Sequence, residues 1–403
     1  MKKMSFSAKI FTGLILGIIL GIIINTFSLN VILTVISPVG QIFLNLMKMV
    51  IVPLILATLI NSITGVGDMN RLGFLGKKAL TYYFLSTLVA ALVAVSLSSI
   101  IKPGIGIPIN VPEGAIKETA SISQLIVDII PSNPIKALAD GNTLQIIVFG
   151  AFLGVAINAI GSRVDNVKNL FTSFAEIMYK IVGSIMKVAP IAVFALIADV
   201  VATNGTAIIF TLFKLVLVIL CGCLVQLLVV YSIVIKTIGK MSPIKFFKAV
   251  LPAQLFSFST ASSAATLPIS MKCIQEGLGI SKTLSNFVLN LGSTVNMNGG
   301  AIYQATCAIF ISQIYGVELG VPQIIIIIFT SALASIGAAA IPGTVIVMMS
   351  MVLSAVGLPL EAIALIAGVD RILDMLTTPV NVTGDLVACV VVSASEEKKN
   401  NAK

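Results

Sequence analysis

The sequence contains no histidine, and only 10% of its 403 residues are charged. Without histidine there is no Ser-His or Cys-His nucleophile pair, no histidine zinc site and no histidine proton relay. No G-x-x-x-x-G-K-[ST] occurs, so an ATP-driven step has no phosphate cradle. The cysteines Cys221, Cys223, Cys273, Cys307 and Cys389 form no C-x-x-C and lie in or beside apolar runs, where they read as small buried hydrophobes. Soluble domains carry roughly 25% charged residues. Here the shortage of charge accompanies 58% hydrophobic residues and a mean hydropathy of +1.10. No water-soluble core could hide that much apolar surface. The chain must face lipid.

The few charges are sorted along the chain. Net charge is +9, from 25 Lys+Arg against 16 Asp+Glu. Lys2, Lys3 and Lys9 precede the first apolar run; Arg71, Lys77 and Lys78 follow the second; Arg163 and Lys168 follow the fourth. Lys236, Lys240, Lys245 and Lys248 follow the sixth, and Lys398, Lys399 and Lys403 close the chain. The alternate gaps are poor in basic residues, with only Lys117 and Lys136 in 103–142. This is the positive-inside pattern, with both termini cytoplasmic in a multi-pass protein of the cell (inner or plasma) membrane. It is topology, not a nucleic-acid footprint. The first run continues apolar from Ile10 to Met47 without a small-x-small cleavage site, so it reads as an uncleaved span.

Six runs are long enough to cross a bilayer as helices: about 10–27, 42–66, 79–101, 143–160, 170–202 and 206–235. From 250 to 390 the chain stays apolar but is scattered with Ser, Thr, Asn, Gly and Asp. Unsatisfied polar atoms in hydrocarbon cost several kcal/mol each, so this last third must line protein or water and is the functional core. Ala264-Ala265-Thr266-Leu267-Pro268 and Ala338-Ala339-Ala340-Ile341-Pro342 resemble one another, small residues leading to proline. They suggest two helical hairpins with the prolines at their tips. Between them, Gly292 to Gly300 holds Asn296, Asn298 and three glycines, as in a helix that unwinds and offers oxygens to a hard cation; a glycine-rich packing face is the alternative.

The strongest constellation is Asp370, Asp374, Thr378, Asn381 and Asp385. Steps of four, four, three and four place these side chains on one narrow helical stripe, with Thr377 beside it. A carboxylate at mid-membrane costs about 2.5–3.5 kcal/mol, so three require a cation, an ammonium or water; Arg371 pairing with Asp370 or Asp374 is the structural alternative. A free amino acid with a metal ion would supply both kinds of partner. An intramembrane enzyme would need carboxylates converging from different helices, and these share one. A cation or anion channel is the rival class, distinguished by conducting without the amino acid.

These residues carry a resemblance to the dicarboxylate/amino acid:cation symporter family, the sodium symporters of glutamate, aspartate and neutral amino acids. Its marks are Lys48 to Leu54 (KMVIVPL), Pro131 to Pro134 (PSNP) with Ala137 to Gly141, and Met178 to Val182. They continue with Ser262 to Pro268, Asn296 to Gly299, and Asp374 to Asp385. The resemblance covers nearly the whole chain. It implies an all-α polytopic fold of eight transmembrane helices and two re-entrant hairpins (about 241–276 and 321–355), a homotrimer, and an elevator motion. In the single 1–403 unit, 1–78 and 103–205 (spans 1, 2, 4 and 5) would be scaffold. Segments 79–102 and 206–395 (spans 3, 6, 7 and 8 and the hairpins) would be the transport domain. It further implies that Ser262 and Ser263 hold the substrate carboxylate and Asp374 its ammonium, with Thr378 and Asn381 completing the contact. One sodium would lie among Gly292, Asn296, Asn381 and Asp385. A second would use the carbonyls of Thr294, Ser335, Ile336 and Ala338, and a third Ser86, Thr87, Asn296 and Asn298.

Three departures from the family pattern bear on substrate. Acidic-substrate members have arginine where this chain has Thr377 and threonine where it has Gly300, both serving the side-chain carboxylate. The expected substrate is therefore a neutral amino acid such as Ala, Ser, Thr or Cys, the alternative being an acidic amino acid or dicarboxylate met by Arg371. Asn298 stands where the family usually has aspartate. Removing arginine, aspartate, substrate carboxylate and third sodium together conserves charge, so two sodium ions per substrate are expected. Pro379, inside the stripe, removes a helix hydrogen bond and is expected to kink the span.

Overall fold

The computed structural model describes residues 6–64, 69–106, 127, 130–337 and 343–400, and among these every regular element is helical. In hydrocarbon a backbone must satisfy its own polar groups, and a helix does so within one segment. The first half comprises α1 (Phe6–Phe27), α2 (Leu33–Thr64), α3 (Met69–Ile101), α4 (Pro134–Asp140), α5 (Thr143–Ile160), α6 (Asp165–Ile185) and α7 (Ala189–Asn204). The second half comprises α8 (Ala207–Leu224), α9 (Tyr231–Thr237), α10 (Pro243–Thr260), α11 (Ser263–Lys272), α12 (Lys282–Val295) and α13 (Asn298–Ile314). It continues with α14 (Val321–Gly337), α15 (Thr344–Ala355), α16 (Ile363–Ala367) and α17 (Asp370–Asn400). Six stretches of the described residues are long and apolar enough to cross a membrane.

Two sets of helices pack around different centres. In the first, α1 lies along α7, while α2 packs on α5, α6 and α7. Gly13, Gly17 and Gly21 recur every fourth residue, leaving α1 a face without side chains. A Cβ at Gly17 would stand 2.6 Å from the Phe194 carbonyl oxygen, and one at Gly21 2.7 Å from the Val201 Cβ. Small residues let the two backbones touch, which is how helices gain packing energy where lipid removes the hydrophobic drive. The second set surrounds α13 and α17, which meet α3, α8, α10, α12, α14 and α15 in various pairs. The window of α17 is 94% buried against 28% for α1, so its polar stripe faces protein rather than lipid.

The expected span at 170–202 divides. A strongly amphipathic α6 meets α7 across a 3-10 turn at Met186–Val188, and Pro190 sits in the first turn of α7, where its missing N–H costs nothing. The first hairpin also differs from expectation. Its turn is Ala261, in a left-handed conformation at φ 51°, followed by Ser262, which caps α11. Pro268 lies inside α11 rather than at the tip. Residues 338–342, with the second proline, lie outside the described residues. Pro379 is accommodated within an α17 that continues to Asn400.

Gly17→Leu should separate α1 from α7. Overpacking costs about 1–3 kcal/mol, so the variant should give little monodisperse protein by fluorescence-detected size exclusion, while Gly183→Leu, with open space around it, should behave as wild type.

Candidate ion and substrate site

The site forms where α12 ends and α13 begins. Asn296 (φ −97°, ψ 86°) and Met297 (φ −114°, ψ 57°) leave the helical conformation, so the expected unwinding lies between Val295 and Asn298. Asn296 Nδ2 donates to Asp385 Oδ1 at 2.9 Å and to the Asn381 carbonyl at 3.3 Å. A Cβ at Gly292 would stand 2.5 Å from Asp385 Oδ1, so the carboxylate is seated against the bare backbone of α12. Gly384 provides the matching bare patch on α17, facing Asn296 Nδ2 and the Tyr231 hydroxyl. The structure thus brings Gly292, Asn296, Asn381 and Asp385 together.

Asn296 is fully buried, and its Oδ1 has no hydrogen-bond partner among the described residues. Leaving such an acceptor unsatisfied costs about 1–3 kcal/mol. An oxygen-seeking cation would satisfy it and offset the buried Asp385 charge, so these residues fit sodium, which prefers carbonyl and carboxylate oxygens.

Two residues further on, the second asparagine is in a different condition. Asn298 Nδ2 donates to Ser86 Oγ and to the Tyr231 hydroxyl, both at 2.7 Å, and its Oδ1 meets Thr87 Oγ1 at 2.6 Å, a hydroxyl it shares with the Tyr83 carbonyl at 2.7 Å. The Tyr231 hydroxyl donates onward to the Val380 carbonyl at 3.0 Å. Ser86, Thr87 and Asn298 are therefore assembled, with the amide satisfied by protein on both ends. Thr294 lies in the last turn of α12, and Ser335 and Ile336 in that of α14, a helix packed on α12; Ala338 is outside the described residues.

The substrate positions surround the other end of the stripe. Ser262 Oγ accepts from the Ala265 N–H at 3.2 Å as the N-cap of α11, and Ser263 is buried beside it. Helix N-termini of this kind present N–H groups to carboxylates. Asp374 Oδ2 accepts the Gly343 N–H at 2.8 Å, tying α17 to the start of α15. Asn381 Oδ1 accepts the Gly299 N–H at 2.7 Å. The Thr377 and Thr378 hydroxyls donate back to the carbonyls of Leu373 (3.0 Å) and Asp374 (2.7 Å). A Cβ at Gly300 would meet Ser335 Oγ (3.4 Å), Met297 Cβ (3.5 Å) and Val345 Cγ2 (3.7 Å) at ordinary contact distance, so a methyl there has room.

Arg371 does not pair as expected. The described residues hold no ion pair between it and Asp370 or Asp374. Its Nη2 donates to the Thr260 carbonyl at 3.0 Å, capping the C-terminus of α10, where a cation meets the negative end of the helix dipole. The guanidinium lies 5.6 Å from the Phe6 ring centroid, and its Nε and Nη1 are buried without hydrogen-bond partners. Asp370 instead accepts from the Tyr303 hydroxyl at 2.7 Å.

Sequence reasoning missed three tyrosines. Tyr83, Tyr231 and Tyr303 are fully buried and direct hydroxyls to the Val288 carbonyl (2.8 Å), the Asn298 cluster and Asp370. The available signal was a tyrosine within an otherwise apolar span, since a buried hydroxyl must find a partner. A π-helical turn at Val225–Val230 precedes Tyr231.

A buried carboxylate and an orphaned amide oxygen at a helix break, inside a multi-pass helical membrane protein, belong to the class of ion-coupled carriers. The sodium:dicarboxylate symporter family matches residues 6–395, and the chain belongs to that family. It is a transporter, not an enzyme. It is 35% identical over 413 residues to the proton/sodium-glutamate symport protein of Geobacillus stearothermophilus, covering 100% of this chain and 97% of that one. It is 34% identical over 385 residues to the proton/glutamate-aspartate symporter of Escherichia coli (92% and 88%), and 31% identical over 403 residues to neutral amino acid transporter A of Bos taurus (89% and 76%).

Gly292→Ala should push the Asp385 carboxylate aside and weaken sodium affinity about tenfold or more, a change of about 1.4 kcal/mol. Calorimetric titration of sodium into purified protein measures this directly. Asp385→Asn should abolish the sodium response.

Proposed function

We propose that the protein is a sodium-coupled symporter of small neutral amino acids such as alanine, serine, threonine or cysteine. The carrying observation is the side-chain end of the pocket. At position 377 a threonine hydroxyl is turned back onto its own helix, and Gly300 contributes no polar side chain. A substrate carboxylate there would be buried unpaired, at a cost of several kcal/mol. The main-chain groups of the amino acid have partners: its carboxylate at Ser262, Ser263 and the N-terminus of α11, its ammonium at Asp374, with Thr378 and Asn381 beside it.

Sodium at Gly292, Asn296, Asn381 and Asp385 would neutralise Asp385 and satisfy Asn296. A second ion among the carbonyls of Thr294, Ser335, Ile336 and Ala338 would couple binding to closure of the second hairpin. Asn298, neutral and fully hydrogen-bonded, supports two sodium ions per substrate rather than three. The moving part would be 79–102 and 206–395, sliding as an elevator against a trimeric scaffold of 1–78 and 103–205 in the cell membrane, with cytoplasmic termini.

A second reading, an acidic substrate, is favoured by the unpartnered Arg371 nitrogens and by the glutamate named for two of the relatives above. In proteoliposomes under a sodium gradient, labelled serine or alanine should accumulate and glutamate should not; the reverse would establish the acidic reading. Arg371→Gln, which retains a donor but not the charge, should leave neutral uptake measurable. Thr377→Arg should reduce neutral uptake at least about tenfold, the scale set by an uncompensated buried charge, and admit aspartate. The sodium-to-substrate flux ratio should be two and should rise toward three in Asn298→Asp.

A further inference from the structure

A cavity of about 650 Å³ lies between α3, the α8–α9 segment and α17, and shares Ser86 with the Asn298 cluster described above. Its residues are graded along its length. Along α3 the lining runs from Lys77, Lys78 and Thr81 through Tyr82, Leu85 and Ser86 to Val89, and Val230 and Val391 add apolar wall from the other two elements. Lys77 and Lys78 are exposed. Leu85 and Val89 are 55% and 39% exposed, so the cavity opens sideways to the bilayer.

The dimensions correspond to one leaflet. From Lys77 to Val89 is twelve residues, about 18 Å along a helix, against about 15 Å for half the hydrocarbon core of a bilayer. The basic end is the one that the lysine and arginine distribution assigns to the cytoplasm. A soluble anion would account for the lysines but not for a long apolar wall. A neutral hydrocarbon chain would account for the wall but not for the lysines.

We infer that this cavity is a binding site for an anionic phospholipid of the cytoplasmic leaflet, its phosphate held by Lys77 and Lys78 and one acyl chain lying along Leu85, Val89, Val230 and Val391. The inference rests on the orientation of the chain, not on the identity of the transported amino acid. The lipid is held on the face of α3 whose Ser86 also reaches inward to Asn298.

The test is intact-complex mass spectrometry of purified protein mixed with phosphatidylglycerol or with phosphatidylcholine of matched chains. Phosphatidylglycerol should be retained preferentially, and retention should fall roughly fivefold for each lysine removed in Lys77→Gln and Lys78→Gln, the effect of about 1 kcal/mol per charge near an anionic surface. Leu85→Trp, which fills the wall, should lower retention with both lysines intact. Equal retention of the two lipids by the wild type would overturn the assignment, as would undiminished phosphatidylglycerol retention in the lysine pair. The wild-type comparison decides the matter even where a variant fails to fold. Inorganic phosphate at millimolar concentration should not displace the lipid; displacement would show a phosphate site without a lipid.

Discussion

Burying the carboxylate of Asp385 constrains everything around it. In a low-dielectric interior an ionised group must be compensated, and among the described residues its hydrogen-bond donor is one neutral amide, Asn296 Nδ2. That same amide leaves its oxygen facing no protein partner. The surrounding architecture keeps this geometry available: a helix break at Asn296 and Met297, and glycines at 292 and 384 where any side chain would fill the space. Burial of α13 and α17 by the rest of the second helix set excludes lipid from the stripe. A site with an unmet electrostatic requirement can be completed by a small cation.

The two asparagines stand in different hydrogen-bonding conditions. Asn296 and Asn298 are chemically identical and two residues apart, yet the first retains an orphaned oxygen and the second has every polar group engaged by Ser86, Thr87 and Tyr231. A neutral amide can close its environment with hydrogen bonds because it both donates and accepts; a carboxylate at 298 would only accept and would bring a charge. Arg371 shows a similar economy of charge. It stabilises the carbonyl end of α10, next to the Ala261–Ser262 turn, and does not neutralise a carboxylate. The basic group nearest the stripe thus also shapes the hairpin tip.

Much of the fold was legible because it follows from local chemistry. The apolar runs had to become helices in lipid, and the polar residues after 250 had to face protein. The acidic stripe emerged from residue spacing alone, since α17 continues as one helix past Pro379. The unwinding at Asn296 was readable from amides and glycines that a lipid-facing helix would not tolerate. The hairpin turn was misplaced because proline was assumed to break the helix. In the structure Ala261 takes the left-handed turn and Ser262 the cap, and Pro268 is carried within α11. The pairing of Arg371 was misjudged because adjacency along the stripe says nothing about a third helix offering a carbonyl.

Sequence alone determined the solvent this chain lives in, the places where its helices run and fail, and the row of groups needing positive partners, since each depends on residues within a few turns of one another. Tertiary structure decided which polar groups are satisfied and which are left wanting. Those answers rest on contacts between residues as far apart as Asn296 and Asp385, 89 positions away, or Asn298 and Ser86, 212 positions away. No periodicity encodes such meetings; they exist only once the helices have packed.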